Sequence, residues 1–184
     1  GVDIKDVTSE MRSAAKTTNF AIIYGVTAYG LSQQSELDVD QAKEFIDTYF
    51  ERYPDIRRYI DTTKQFARDN GYVTTLFNRR RYIPEINDKN YSVRQFAERT
   101  AINTPIQGTA ADMIKVAMIK IHQKMSRMRS KMVLQVHDEL VFDVYKEELE
   151  DVKKIAKDCM EKAVKLKVPV VVDLGVGDNW LDAK

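Results

Sequence analysis

The sequence predicts an α+β fold that is mostly helical, with a small antiparallel sheet near its C-terminal end. Two observations carry this. Long stretches with helical apolar spacing fill the first two thirds of the 184 residues. A polar turn between two apolar runs then appears at 132–144, followed by a charged helical pattern and a short Val-rich run. Helices, hairpin, helix, strand is an order suited to α+β packing.

The first helix is expected to start near Ser9, a suitable N-cap, and to run through Met11 to about Tyr24, with Gly25 as its stop. A second, long helical stretch starts near Asp38, with Gln41 in a capping-box relation, and ends at Asn70-Gly71. Tyr53-Pro54 should divide it, because the residue before proline avoids the helical region. Tyr72 to Tyr82 reads as a β-excursion that turns near Phe77-Asn78-Arg79. A helical stretch from Ser92 to Met128 follows, and Thr104-Pro105 should interrupt and kink it. The hairpin at 132–144 is expected to rest on a buried sheet. Glu147 to Leu166 is an amphipathic helix, Val170-Val171-Val172 a strand joining the hairpin's sheet, and Gly175-Val176-Gly177 a turn.

Composition narrows the function. With 29 basic and 28 acidic residues, a duplex-binding surface requires local segregation of charge. Lys115, Lys120, Lys124, Arg127, Arg129 and Lys131 form such a face without Asp or Glu, although a solvated helix face would look the same. The one cysteine, Cys159, rules out an internal disulfide and is expected to pack as a small apolar side chain. His122 and His137 are the only histidines and lack ligand-spaced partners, which argues against zinc. No signal-peptide pattern and no membrane-spanning run are present, so a cytoplasmic location is expected.

Three constellations carry chemistry. Arg12, Lys16, Phe20 and Tyr24 recur at four-residue steps, so they form one slightly spiralling stripe on a helix. Its cationic end suits phosphates and its aromatic end suits a sugar or base. The plain alternative is an amphipathic helix with its aromatics packed inward. Arg99, Asn103 and Gln107 repeat the spacing with donors suited to phosphates, sugars and minor-groove acceptors, or simply form a polar helix face. Asp138 and Glu139 lie at the hairpin tip, where hard oxygens can hold Mg²⁺ together with substrate phosphates. An acidic turn between strands is also common in itself.

Arg12-x-x-x-Lys16-x-x-x-Phe20-x-x-x-Tyr24-Gly25 resembles motif B of family A DNA polymerases, the bacterial polymerase I type, and Gln135-Val136-His137-Asp138-Glu139-Leu140 resembles their motif C. The block from Glu98 to Asp112 is similar to the family's primer-template helix, and Gly177-Asp178-Asn179-Trp180 to its C-terminal end. The motif departs from the usual pattern at Ser13, often a second arginine, and at Ala21, often glycine.

The resemblance implies a fingers portion over about 1–90 and a C-terminal palm portion over about 91–184. It implies DNA-directed DNA polymerase activity, with Arg12 and Lys16 on the phosphates of an incoming dNTP and Lys16 able to protonate the leaving pyrophosphate. Phe20 would pack on sugar and base, and Tyr24 would sit by the templating position. Arg99, Asn103, Gln107 and His137 would contact primer-template DNA. Asp138 would be a ligand of one of two Mg²⁺ ions in the intact enzyme, with Glu139 an auxiliary acid. Nothing before Arg12 resembles motif A, the strand that carries the second metal-binding aspartate, and no thumb is present. The chain is therefore expected to be a piece of a bacterial or phage polymerase, from a truncation or a split enzyme, needing the remainder as partner and inactive alone. A single-subunit RNA polymerase fragment and a non-catalytic DNA-binding fragment are the alternatives.

Overall fold

The computed structural model describes residues 2–35 and 37–183, which form two compact units that divide between Ile106 and Gln107. In the first unit α1 spans Ser9–Ile23. Its N-cap is Thr8, one residue earlier than expected, whose hydroxyl accepts from the Met11 N–H at 3.3 Å. Gly25, at φ 77°, turns the chain out of the helix. A short helix, α2 (Ala28–Ser32), was not expected. One and a half turns is too short to show a period, and Gly30 inside it argues against a helix. It forms because the Thr27 hydroxyl accepts from the Gly30 N–H at 3.0 Å and Leu31 buries itself.

The expected long helix is two, α3 (Val39–Arg52) and α4 (Pro54–Asn70). The capping box is complete, with Gln41 N–H to Asp38 Oδ1 at 2.8 Å and Asp38 N–H to Gln41 Oε1 at 3.0 Å. Tyr53, at φ −125° and ψ 65°, breaks the helix before Pro54, which then occupies the first position of α4. Gly71 closes α4 in the left-handed region. The β-excursion is an antiparallel pair, β1 (Tyr72–Thr74) and β2 (Arg80–Tyr82), with Asn78 at φ 60° in its turn.

The helix α5 covers Tyr91–Lys124 and supplies its first part to this unit. Ala67, Val73, Ile83, Ile86, Ala97 and Ala101 form the core between α4, the hairpin and α5. Each fully buried Ile or Val contributes roughly 1.5–3 kcal/mol. Contrary to the expected interruption, α5 is unbroken through Pro105. The Thr104 hydroxyl donates back to the Thr100 carbonyl at 2.7 Å within it. Beside α5, the Tyr59 hydroxyl donates to the Ile102 carbonyl at 2.8 Å.

The second unit holds the rest of α5, the hairpin β3 (Lys131–Val136) and β4 (Glu139–Asp143), and α6 (Leu149–Glu161). Ala117, Ile121 and Met125 recur at helical spacing on α5 and meet Val152, Cys159 and Ala163, so Cys159 is the buried packing residue expected of it. Leu140, Phe142 and Val144, alternate residues of one strand face, pack on that cluster.

Four expectations fail here. The hairpin does not rest on a buried sheet: Val133 and Leu134 are 52% and 51% exposed, and the sheet has two strands. Val170-Val171-Val172 is not a strand either, and no helix or strand forms beyond Glu161 among the described residues. A strand exists only by pairing. Here the valines find no ladder partner, and Val171 is 73% exposed. The expected turn at 175–177 is instead a close approach: a Cβ on Gly175 would lie 1.6 Å from the Ala183 carbonyl oxygen. The last helix also ends at Glu161 rather than near Leu166.

Candidate functional site

The residues singled out from sequence fall into three local groups. On α1, Arg12, Lys16 and Phe20 are exposed and Tyr24 is half-buried. The Lys16 Nζ lies 5.9 Å from the Phe20 ring centroid, and the Phe20 and Tyr24 rings stack at 5.9 Å and 12°. Phe20 is therefore not packed inward: it is 45% exposed, and of this helix only Ile22 is buried. An ammonium next to two parallel rings, all on one open face, can hold an anionic group at one end and a flat group at the other.

The second group is on α5. Arg99 and Asn103 are half-buried, and Arg99 leans on the Phe96 ring at 6.0 Å. Asn103 Oδ1 is buried without a hydrogen-bond partner, an acceptor left open where the helix meets its neighbours. The two groups touch at Gly25, where an added Cβ would sit 3.4 Å from Ile102 Cδ1 and 3.7 Å from Arg99 Cγ. A Cβ there would make ordinary van der Waals contact, so it is the left-handed φ of 77° that calls for glycine. Gln107, the third member of the stripe, is exposed and belongs to the second unit.

The sequence reading gave no role to Glu98. It is 5% exposed and bridges Arg68 (2.7 Å) and Lys64 (3.2 Å), tying α4 to α5 beside Arg99. Burial raises the pKa of its carboxyl, but hydrogen bonds from Arg68 and Lys64 outweigh that and hold it below the ordinary value. The signal was an acidic residue next to Arg99 on an expected helix.

The third group is the β3–β4 turn. Val136 pairs with Glu139, so His137 and Asp138 are the two loop residues and Glu139 opens β4. All three side chains are exposed. His137 is held at φ 54°, a conformation that costs a non-glycine residue about 1–2 kcal/mol. The Gln135 side-chain amide donates to its carbonyl at 2.6 Å, and positive φ at the first loop residue matches the twist of the strands.

At the base of the hairpin, Glu148 accepts from the Arg129 and Ser130 N–H groups and from the Ser130 hydroxyl, at 3.1, 2.8 and 2.5 Å. Those bonds lower its pKa. Asp138 and Glu139 present hard oxygens to solvent, the right donors for Mg²⁺. Among the described residues no group of three or more His, Cys, Asp or Glu converges. A divalent cation at Asp138 would thus take its remaining ligands from phosphates, water or other chain.

The basic face at 115–131 is less available than its sequence implies. Lys124 pairs with Asp158 at 2.9 Å, Lys120 donates to the Lys162 carbonyl, and Arg129 covers the Tyr145 ring at 3.7 Å. Lys162 and Lys124 together hold Asp158 at a pKa of about 2. No helix among the described residues is long and apolar enough to cross a membrane.

The family model for DNA polymerase family A matches residues 1–182. The chain is 54% identical to DNA polymerase I of Caldicellulosiruptor bescii over 186 residues, covering 100% of this chain and 22% of that protein. It is 48% identical to DNA polymerase I of Geobacillus stearothermophilus, covering 100% and 21%. Among solved structures, the POL domain of Pol1 from M. smegmatis, in complex with DNA primer-template and dNTP, matches at a TM-score of 0.95 and 42% identity, covering 99% of this chain and 32% of that one. The chain thus spans about a fifth of the length of these curated relatives. With the α1 stripe, the Arg99 series and the hairpin turn in one order along a chain matched almost end to end, the chain belongs to DNA polymerase family A.

Proposed function

We propose that this chain is the fingers portion (1–90) and C-terminal palm portion (91–184) of a DNA-directed DNA polymerase that adds dNTPs to a primer 3′-OH on a template. The observation that carries the reading is the open stripe of α1, with Lys16, Phe20 and Tyr24 in line. Arg12 and Lys16 grip the triphosphate, and Lys16 can hand a proton to the departing pyrophosphate. Phe20 lies on the sugar and base, and Tyr24 guards the templating position. Arg99, Asn103 and Gln107 bond primer and template near the growing end, and His137 lies by the primer terminus.

Asp138 holds a divalent cation, taken as Mg²⁺, with Glu139 beside it. Two such ions, when bound, lower the barrier by activating the 3′-oxygen and offsetting charge on the transferring phosphoryl group. The second aspartate and the thumb come from the remainder of the polymerase. Bacterial relatives support a place in the bacterial cytoplasm.

The test is dNTP binding by the chain, read as quenching of a labelled nucleotide. Lys16→Ala should weaken binding at least about tenfold, the scale of one charge-assisted contact, with the far-ultraviolet circular dichroism unchanged. Equal binding by a folded Lys16→Ala chain would contradict the assignment.

A further inference from the structure

One arginine-rich feature is left unused by this reading. Between Gly71 and Pro84 there is no Asp or Glu, while Arg79, Arg80 and Arg81 follow one another at the turn of the β1–β2 hairpin. Cross-strand pairing puts Tyr72 opposite Tyr82, Val73 opposite Arg81 and Thr74 opposite Arg80. Val73 is 1% exposed and belongs to the core, so the Tyr72, Tyr82, Thr74 and Arg80 face points away from it.

The open face is aromatic and cationic. Tyr72 and Tyr82 meet edge to face at 5.8 Å, Phe66 extends the row at 5.7 Å, and the Arg80 guanidinium lies 4.5 Å from the Tyr72 ring. Tyr82 is 68% exposed. Thr74 and Phe66 lead from this row into a shallow groove of about 320 Å³, which Tyr59, Thr62, Thr63 and Pro105 complete. The groove carries hydroxyls and apolar surface but no charge.

We propose that this hairpin face is a binding site for unpaired DNA, with a phosphate on Arg80 and a base stacked on Tyr82. Charge complementarity selects an anion, since among Tyr72, Thr74, Arg80 and Tyr82 on this face the charge is that of Arg80 alone. The exposed ring selects a single strand, because only unstacked bases offer their faces to an aromatic side chain. The uncharged groove beside it fits a base turned away from its neighbours. The inference rests on the polymerase reading only for the identity of the strand, which is then the unpaired template ahead of the primer.

The test is anisotropy titration of the chain with a labelled oligothymidylate and with a blunt duplex of the same length. Tyr82→Ala should weaken oligothymidylate binding about tenfold. Tyr82→Phe, which keeps the ring, should bind as the parent does. Arg80→Ala should reduce the slope of log affinity against log salt by about 0.7, one phosphate contact on a single strand. None of these changes should alter duplex binding. Oligothymidylate binding that is absent in the parent, or unaffected by Tyr82→Ala and Arg80→Ala, overturns the proposal. So does an equal loss on the duplex, which would make the hairpin a general backbone contact. Because Tyr82 and Arg80 are remote in sequence from Lys16, dNTP binding that persists while the strand site fails leaves the polymerase reading standing.

Discussion

His137 occupies a left-handed backbone conformation in the turn that carries Asp138, and glycine would adopt it without strain. Strain retained beside a candidate metal ligand is what a functional turn looks like. His137→Gly should therefore raise the thermal unfolding midpoint, by up to about 1 kcal/mol in stability, rather than lower it. A lowered midpoint would show that the imidazole itself supports the turn. Glu98 makes the opposite case, a charged residue whose value is structural. Glu98→Gln should cost about 1–3 kcal/mol at neutral pH, because the buried carboxylate accepts from Arg68 and Lys64 with both oxygens. Its folded pKa is depressed below 4.5, so its stabilisation is complete above that pH and fades as pH falls through the folded value. Chemical denaturation at several pH values should show the two chains converging in acid; a constant gap would exclude ionisation as the cause. The α1 stripe, the Asp138-Glu139 turn and the Arg99 series were legible in the sequence because each is local and periodic. Glu98 was not, because its partners lie thirty residues or more upstream.

At the scale of elements, the boundaries written in local chemistry were readable. The capping box at Asp38, the division at Tyr53-Pro54 and the glycine stop at Gly71 all depend on residues within one turn of the boundary. Where tertiary packing decided, the sequence misled. Pro105 predicts an interrupted helix, yet α5 continues through it between two cores that hold its halves. Pro105→Ala should then raise stability, since the helical backbone is already in place and alanine removes a ring costing about 3 kcal/mol in a helix interior. Gains of this kind are read as a higher midpoint in thermal denaturation. A lower midpoint would mean that the proline ring itself fills a needed space beside Tyr59 and Phe66. The Val170-Val171-Val172 run failed for a related reason: β propensity reports how a residue fits a sheet, and here there is no neighbouring strand to fit.

For the whole molecule, the unpaired valines, the exposed face of β3 and the carboxylate pair at Asp138 belong together. On the proposed reading each is half of something, in a chain that spans 22% of a relative it matches throughout. Periodicity showed which halves are present and could not supply the missing ones, because a metal site or a sheet is completed by residues distant in sequence. The central claim is that these residues serve template-directed synthesis. The direct measurement is primer extension by a chimera in which this chain replaces the matching segment of Caldicellulosiruptor bescii DNA polymerase I, assayed with Mg²⁺ and dNTPs. The predicted result is template-directed extension that Asp138→Ala lowers by at least about a thousandfold, with primer-template binding retained, while the unfused chain extends nothing. A folded chimera that fails to extend, or an Asp138→Ala chimera that extends at the parent rate, would contradict it.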